Sequence, residues 1–318
     1  MDRLDAMRVF VAVVEGQGFS AAARALGIPL ATVSRRIAEL EEHLGAQLLI
    51  RSTRKVAVTD SGRQYCENAR RILENLADAE AQAAGEYSNP RGQLSITAPA
   101  LFGRLHLLPV IRDFMARYPD VTVRLLLSNF VSDLMEEHID LGVRIGKIAD
   151  TSLIAMQIGS VRQLFCASPS YLAARGMPLR LEDLAGHDCI TFSKSGDALP
   201  WAIKRPGQPQ QSITVAPRLI VTTAETAADA TIAGGGVTWL YAYQAAPHLA
   251  AGTLRTILME FEADPAPVSI VYPAGRLMPQ KVRRFIDLAA AKLRAALIDI
   301  NRQCNAASAS KSGGARTK

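Results

Sequence analysis

The chain has 318 residues, 49% hydrophobic and 21% charged, an ordinary globular composition on a chain longer than one hydrophobic core usually serves. No apolar run reaches the ~20 residues of a membrane span, and MDRLDAMRVFVAVVEG carries Asp2, Asp5 and Glu15 without a small-residue cleavage site, so a cytoplasmic protein with no membrane association is expected. The net charge of +6 is not in itself a sign of a nucleic-acid partner: four basic residues, Arg302, Lys311, Arg316 and Lys318, lie in an acid-free tail without which the charge is +2.

Taken in chain order, Ala6, Val9, Phe10, Val13 and Val14 follow the spacing of an amphipathic helix over Asp5–Glu15, ended by Gly16 and Gly18. Ser20 is placed to cap a short second helix, AAARAL, with Gly27 as its terminator. A third helix runs from about Pro29 to His43, with Gly45 after it. Leu48–Arg51 and Val56–Val58 flank the basic turn Ser52–Lys55 and read as a small hairpin. Thr59 caps a long helix with Asp60 in its first turn. There Tyr65, Ala69, Ile72, Leu76, Ala79 and Ala83 alternate four and three apart, a coiled-coil seam that predicts pairing with a second copy. SNPRG (Ser88–Gly92) reads as a linker.

Beyond Gly92 strands alternate with helices. The strand candidates are Leu94–Thr97, Val121–Leu127, Leu141–Ile145, Gln163–Ala167, Ile190–Phe192, Leu219–Thr222, Val237–Leu240 and Val268–Tyr272, with helices such as Leu108–Tyr118 and Glu225–Ala233 between them. This is a doubly wound α/β layout long enough for two subdomains. The end, NRQCNAASASKSGGARTK, is rich in Ser, Ala and Gly, and residues 299–318 read as a disordered basic tail.

Catalytic constellations are not found. The four cysteines, Cys66, Cys166, Cys189 and Cys304, are scattered without a CxxC pair and read as free, mostly buried thiols. GHDC (Gly186–Cys189) holds three metal-binding residue types, but consecutive strand residues alternate faces and do not converge on one ion. EEHID (Glu136–Asp140) lacks HExxH spacing, AGGGVTW lacks GxGxxG, and neither a Gly-x-Ser-x-Gly nor a Walker sequence occurs. No enzyme, metal or cofactor is expected.

The third helix carries the functional signal. On a wheel at about 100° per residue, Val33, Ile37, Leu40 and Leu44 share a narrow sector that must face the core. Arg35 points almost directly opposite, flanked by Ala31, Thr32, Ser34 and Glu39, and Arg36 lies at the edge of the buried stripe. Small residues beside an outward arginine suit a recognition helix in the DNA major groove, where arginine donates two hydrogen bonds to guanine. A solvated helix face carries arginines as readily, so the order of elements decides: short helix, glycine turn, second helix, basic wing and a paired long helix form a dimeric DNA reader. The candidate DNA contacts are Ser20, Thr32, Ser34, Arg35, Arg36 and, on the wing, Arg51, Arg54 and Lys55. The alternative is a cytoplasmic small-molecule binding protein whose N-terminal module only dimerises.

The segment LDAMRVFVAVVEGQGFSAAARALGIPLATVSRRIAELEEHLGAQLLIRSTRKVAVTDSG resembles the winged helix-turn-helix of LysR-type transcriptional regulators. ASPSYLAARGMP, LEDLAGHDCITF and VYPAGRLMPQKVRRFIDL resemble that family's effector domain, so the likeness spans nearly all of residues 1–298. One departure stands out: members often have Ser at the start of the recognition helix and Gln or Pro just after, where this chain has Pro29 and Leu30. The resemblance implies a winged helix-turn-helix over 1–59, a linker and dimerisation helix over 60–88, and an effector domain over 92–298. That domain would be two α/β lobes like a periplasmic binding protein, lobe I at about 92–162 and 268–298 and lobe II at about 163–267. It also implies double-stranded operator DNA and a small-molecule effector as partners, and a homodimer or homotetramer. In open α/β sheets ligands bind at the carboxyl ends of strands, which points to Thr97, Ser128 and Arg144 in lobe I and Phe192 and Thr222 in lobe II, with Phe102 as a wall. Arg144 and a helix N-terminus following Pro99 would suit an organic acid.

Overall fold

Asp2 caps the first helix, α1 (Arg3–Glu15), its carboxylate accepting from the N–H groups of Leu4 and Asp5 at 3.0 and 3.3 Å. The computed structural model describes residues 2–51, 56–83, 89–129, 133–193, 197, 200–275 and 278–312, and the chain divides into two units, 1–89 and 90–318.

In the first unit α2 (Phe19–Leu26) and α3 (Leu30–Leu44) follow α1, and Gly27 and Gly45 close them in the left-handed region at φ 66° and 62°. The expected cap of α2 is corrected: the helix begins at Phe19 after an extended Gly18 with no side-chain bond, and Ser20 is an exposed second residue. Ala6, Val9, Phe10 and Val13 of α1 meet Ala22 of α2 and Val33, Ile37 and Leu40 of α3 in one core. Leu44 does not join it and is 40% exposed; the stripe ends at Leu40, and Leu48 and Leu49 fill the core beyond.

The wing is the antiparallel pair β1 (Leu49–Arg51) and β2 (Val56–Val58). Glu41 of α3 holds its base, its carboxylate accepting from Leu48 and Leu49 N–H at 2.8 and 3.0 Å. Thr59 caps α4 (Asp60–Ala83) as expected, Oγ1 accepting from Gly62 N–H at 2.9 Å and donating back to the Gln47 carbonyl at 2.8 Å. Gly62 is needed there, because a Cβ would stand 2.1 Å from the Leu48 carbonyl oxygen. The expected seam along α4 is partly spent within one chain: Tyr65 meets Phe10 edge-on at 5.5 Å, and Ala69 is fully buried. Ile72, by contrast, is 43% exposed.

The second unit holds two five-stranded sheets. The first, ordered β4-β3-β5-β14-β6, contains β3 (Gly92–Ala98), β4 (Val121–Leu127), β5 (Leu141–Ile145), β6 (Leu153–Val161) and, from the far end of the chain, β14 (Ala266–Pro273). Between β3 and β4 run α5 (Ala100–Phe102), a π-helical turn over Gly103–Leu107 and α6 (Leu108–Arg117). Arg162 alone separates β6 from β7 (Gln163–Ala167), which lies in the second sheet. That sheet, ordered β11-β8-β12-β7-β13, is built with α7 (Pro169–Arg175), β8 (Cys189–Phe192), β11 (Pro217–Val221), α8 (Ala224–Ile232), β12 (Val237–Tyr241), α9 (Ala242–Ala250) and β13 (Arg255–Ile257). A separate hairpin of β9 (Trp201–Lys204) and β10 (Gln210–Ile213) flanks it.

Both sheets are mixed rather than wholly parallel, which modifies the doubly wound expectation. The chain leaves lobe I and returns to it, so β14 runs antiparallel to both β5 and β6, while β3 pairs in parallel with β4 and β5. At the crossing, Arg162 makes a two-pronged ion pair with Glu262, 2.7–3.0 Å at each contact, tying the outgoing strand connection to the segment that returns.

The final helix, α10 (Gln280–Ser312), corrects the expected tail. Leu293, Leu297, Ile300 and Cys304 continue one buried stripe, Asn301 Nδ2 donates to the Ser160 carbonyl at 3.2 Å, and the Cys304 thiol reaches the Ala242 carbonyl at 3.5 Å. The chain stays helical here because these positions dock on both lobes; residues 313–318 lie outside the described ones. All four cysteines are free and buried, as expected, and burial pushes the Cys189 and Cys304 thiols up to about 11. Among the described residues no helix is long and apolar enough to cross a membrane.

Candidate functional site

Two surfaces carry chemistry, one in each unit. On α3 the buried face of Val33, Ile37 and Leu40 forces the opposite face outward. Arg35 stands there with 70% of its side chain exposed, and its nearest carboxylate is Glu39 one turn on at 3.8 Å. Such an exposed pair contributes little, so the guanidinium is readily given to another partner. Ala31 and Ala38 beside it are exposed and small, and Thr32 and Ser34 are half-buried at the rim. Arg36 is placed differently: it pairs with Asp5 of α1 and braces the two helices. Arg51 ends β1, while Arg54 and Lys55 lie outside the described residues.

The second surface is a cavity of about 230 Å³ in the second unit. Pro99, Asn129 and Ile145 of lobe I form one side. Phe192, Trp201, Trp239, Tyr241 and Tyr243 of lobe II give the other an aromatic wall, with Thr191, Ala224 and Gln244 between them. Trp239 and Tyr241 face the same way because they are two apart on β12, and their rings lie 6.0 Å apart. Tyr241 stacks on Tyr243 at 6.0 Å and 12°, and Gln244 fixes this corner by accepting from Tyr241 N–H at 2.9 Å. Burial pushes both tyrosine hydroxyls above their ordinary range. The polar groups are few. Asn129 Oδ1 accepts from Ala100 N–H at 3.0 Å, which turns its amide NH2 into the remaining donor beside the N-terminus of the helical run.

Of the six effector residues expected from sequence, only Phe192 lines this cavity. Thr97 is fully buried inside β3, against Gly142, and its hydroxyl has no hydrogen-bond partner among the described residues. Phe102 lies in the core behind the wall, edge-on to Tyr243 at 5.4 Å. Ser128 is half-buried, its N–H bonded to the Ala98 carbonyl at 3.0 Å, and it is Asn129 that reaches the cavity. Arg144 sits on the opposite face of β5 from Ile145; burial lowers its pKa and the Glu137 carboxylate opposes that shift. Thr222 is exposed beyond β11, two residues short of Ala224. The aromatic wall was not anticipated, although WLYAY, with aromatics at every second position, is a signal for it.

Residues 4–63 match the model of the bacterial regulatory helix-turn-helix proteins of the lysR family, and residues 88–294 match that of the LysR substrate binding domain. An HTH-type transcriptional regulator of Xanthomonas campestris pv. campestris is 33% identical over 90% of this chain and 84% of its own. The regulator CrgA of Neisseria meningitidis is 34% identical over 88% and 94%. Among solved structures, CrgA aligns with a TM-score of 0.58 at 32% identity, covering 91% of this chain and 98% of its own. The full-length Vibrio cholerae virulence activator AphB aligns with the same score at 29% identity over 91% and 98%.

Proposed function

The chain belongs to the LysR family of transcriptional regulators, DNA-binding proteins that respond to small molecules and are not enzymes, and we propose that it is a cytoplasmic, sequence-specific regulator whose effector is a small aromatic organic acid. The observation that carries the effector reading is the cavity between the lobes: aromatic on the lobe II side, with a helix N-terminus and the Asn129 amide on the other. At about 230 Å³ it is smaller than the roughly 300–1,000 Å³ of pockets for drug-sized ligands, which favours a single-ring molecule. The ring would pack against Tyr241, Tyr243 and Phe192, and the carboxylate would accept from Asn129 Nδ2 beside the Pro99–Ala100 terminus. A ligand touching both lobes favours their closed arrangement by its differential affinity.

On the DNA side, α3 enters the major groove with Arg35 on guanine and Ser34, Thr32 and Ser20 on bases or phosphates, while Arg51, Arg54 and Lys55 of the wing take phosphates or the minor groove. Arg36 supports α3 through Asp5. A homodimer pairs along the exposed part of α4, and two dimers make a tetramer.

Footprinting of the full chain on its upstream DNA tests the first half. Arg35→Ala should lose about 5- to 150-fold in affinity, the worth of one bidentate contact, with the melting temperature kept. Thermal melting of the full chain with a panel of benzoates tests the second. An effector that proves cationic or aliphatic removes the aromatic-acid assignment.

A further inference from the structure

At the start of α3, Pro29 occupies the cap position with no side-chain hydrogen bond, and the next residue, Leu30, is 49% exposed. A side chain in the first turn of a helix tilts toward the helix N-terminus, the end from which a recognition helix presents its contacts to base edges. Ser34 stands one turn on from Leu30 on the same side, and exposed Ala31 adds no bulk next to it. Neither Pro29 nor Leu30 has a side chain that donates or accepts, so neither of these two side chains forms a hydrogen bond to a base. The one apolar group on a base edge in the major groove is the thymine 5-methyl.

Resting on the reading of α3 as the DNA-contacting helix, we infer that Leu30 reads thymine in each half-site by packing against its 5-methyl group. Discrimination comes from two sides. Thymine gains a methyl contact taken out of water, while cytosine or adenine at that position has an exocyclic amino group desolvated against leucine with no acceptor. Removing one methyl from such a contact loses about 0.8 kcal/mol, or about fourfold in affinity per half-site.

The test uses the full chain and duplexes selected from a random library by the wild-type protein, with each thymine in turn replaced by deoxyuridine, which pairs identically and lacks the methyl. One thymine per half-site should lose about fourfold with the wild type and under about twofold with Leu30→Ala. Leu30→Gln, which keeps helix propensity and brings an amide matched to adenine, should select adenine at that same position. The inference is overturned if no thymine is methyl-sensitive, or if Leu30→Ala keeps the full sensitivity. Should Arg35→Ala abolish binding while the deoxyuridine series stays flat, Leu30 alone is misassigned. Should Arg35→Ala also bind normally, the reading of α3 falls with it.

Discussion

Replacing Gly62 by alanine sets two effects against each other. Gly62 sits in the first turn of α4, where alanine is normally better by up to about 1 kcal/mol because glycine loses more backbone freedom on folding. In this fold an added Cβ would lie 2.1 Å from the Leu48 carbonyl oxygen and 2.9 Å from Val58 Cγ1. The first obstacle is backbone and does not rotate away, so α4 and the base of the wing must separate by about 1 Å. That separation strains the Gly62–Thr59 hydrogen bond and the Thr59 bonds to the Gln47 and Leu48 carbonyls. Overpacking of this kind costs about 1–3 kcal/mol, and loss of the cap adds about 1 kcal/mol, so Gly62→Ala should destabilise the first unit by roughly 1–3 kcal/mol after the helix gain. Urea denaturation followed by circular dichroism reads the sign directly. DNA binding should weaken as well, because the wing is re-aimed. Unchanged or raised stability in Gly62→Ala would mean that α4 does not meet the wing this closely, and the cap geometry would be refuted.

The remaining predictions concern pH, the wing and assembly. Burial favours the neutral imidazole of His106, whose folded pKa lies below its ordinary 6.5; the stability it contributes is present above that value and lost as pH falls below it, so His106→Phe should flatten the melting profile between about pH 5 and 7, and parallel profiles would contradict this. Arg54→Ala should weaken binding to all DNA sequences and reduce the slope of log affinity against log salt by about one, whereas a loss confined to particular base changes would make the wing a sequence reader. Leu76→Asp should reduce the oligomer seen by light scattering while the first unit stays folded, because Leu76 is only half-buried in one chain; Ala69→Asp should instead unfold it, since Ala69 is fully buried there.

The two units differ in how far the sequence discloses them, and the reach of the signals along the chain explains why. The helices of the first unit are written into local signals: Ala6–Val9–Phe10–Val13 fixes one face of α1, Gly27 and Gly45 stop α2 and α3, and Thr59 starts α4. Each of these acts within a turn or two of chain. The cavity depends instead on where the chain turns as each strand ends. Thr97, Ser128, Arg144 and Thr222 lie one or two residues from Pro99, Asn129, Ile145 and Ala224, which line it: pleating separates Arg144 from Ile145 on β5, while Pro99, Asn129 and Ala224 lie just past the ends of β3, β4 and β11, where the chain turns inward. Which residues meet across the cavity depends on both lobes, whose sheets are completed by strands far apart in sequence. A charged residue on a mostly apolar strand reads as a binding group, yet Arg144 lies on the face of β5 opposite Ile145 and senses Glu137. The tail failed for a related reason. Its composition is that of a disordered segment, but Ile300 and Cys304 are buried and Asn301 and Cys304 bond to carbonyls of the two lobes that no local window contains. Trp239 and Tyr241 share a face of β12 by alternation, and Tyr243 joins them from the first turn of α9, so the aromatic run marks the wall although only its first two members owe their direction to the strand. That stretch, rather than any charged residue, is the legible mark of the cavity wall.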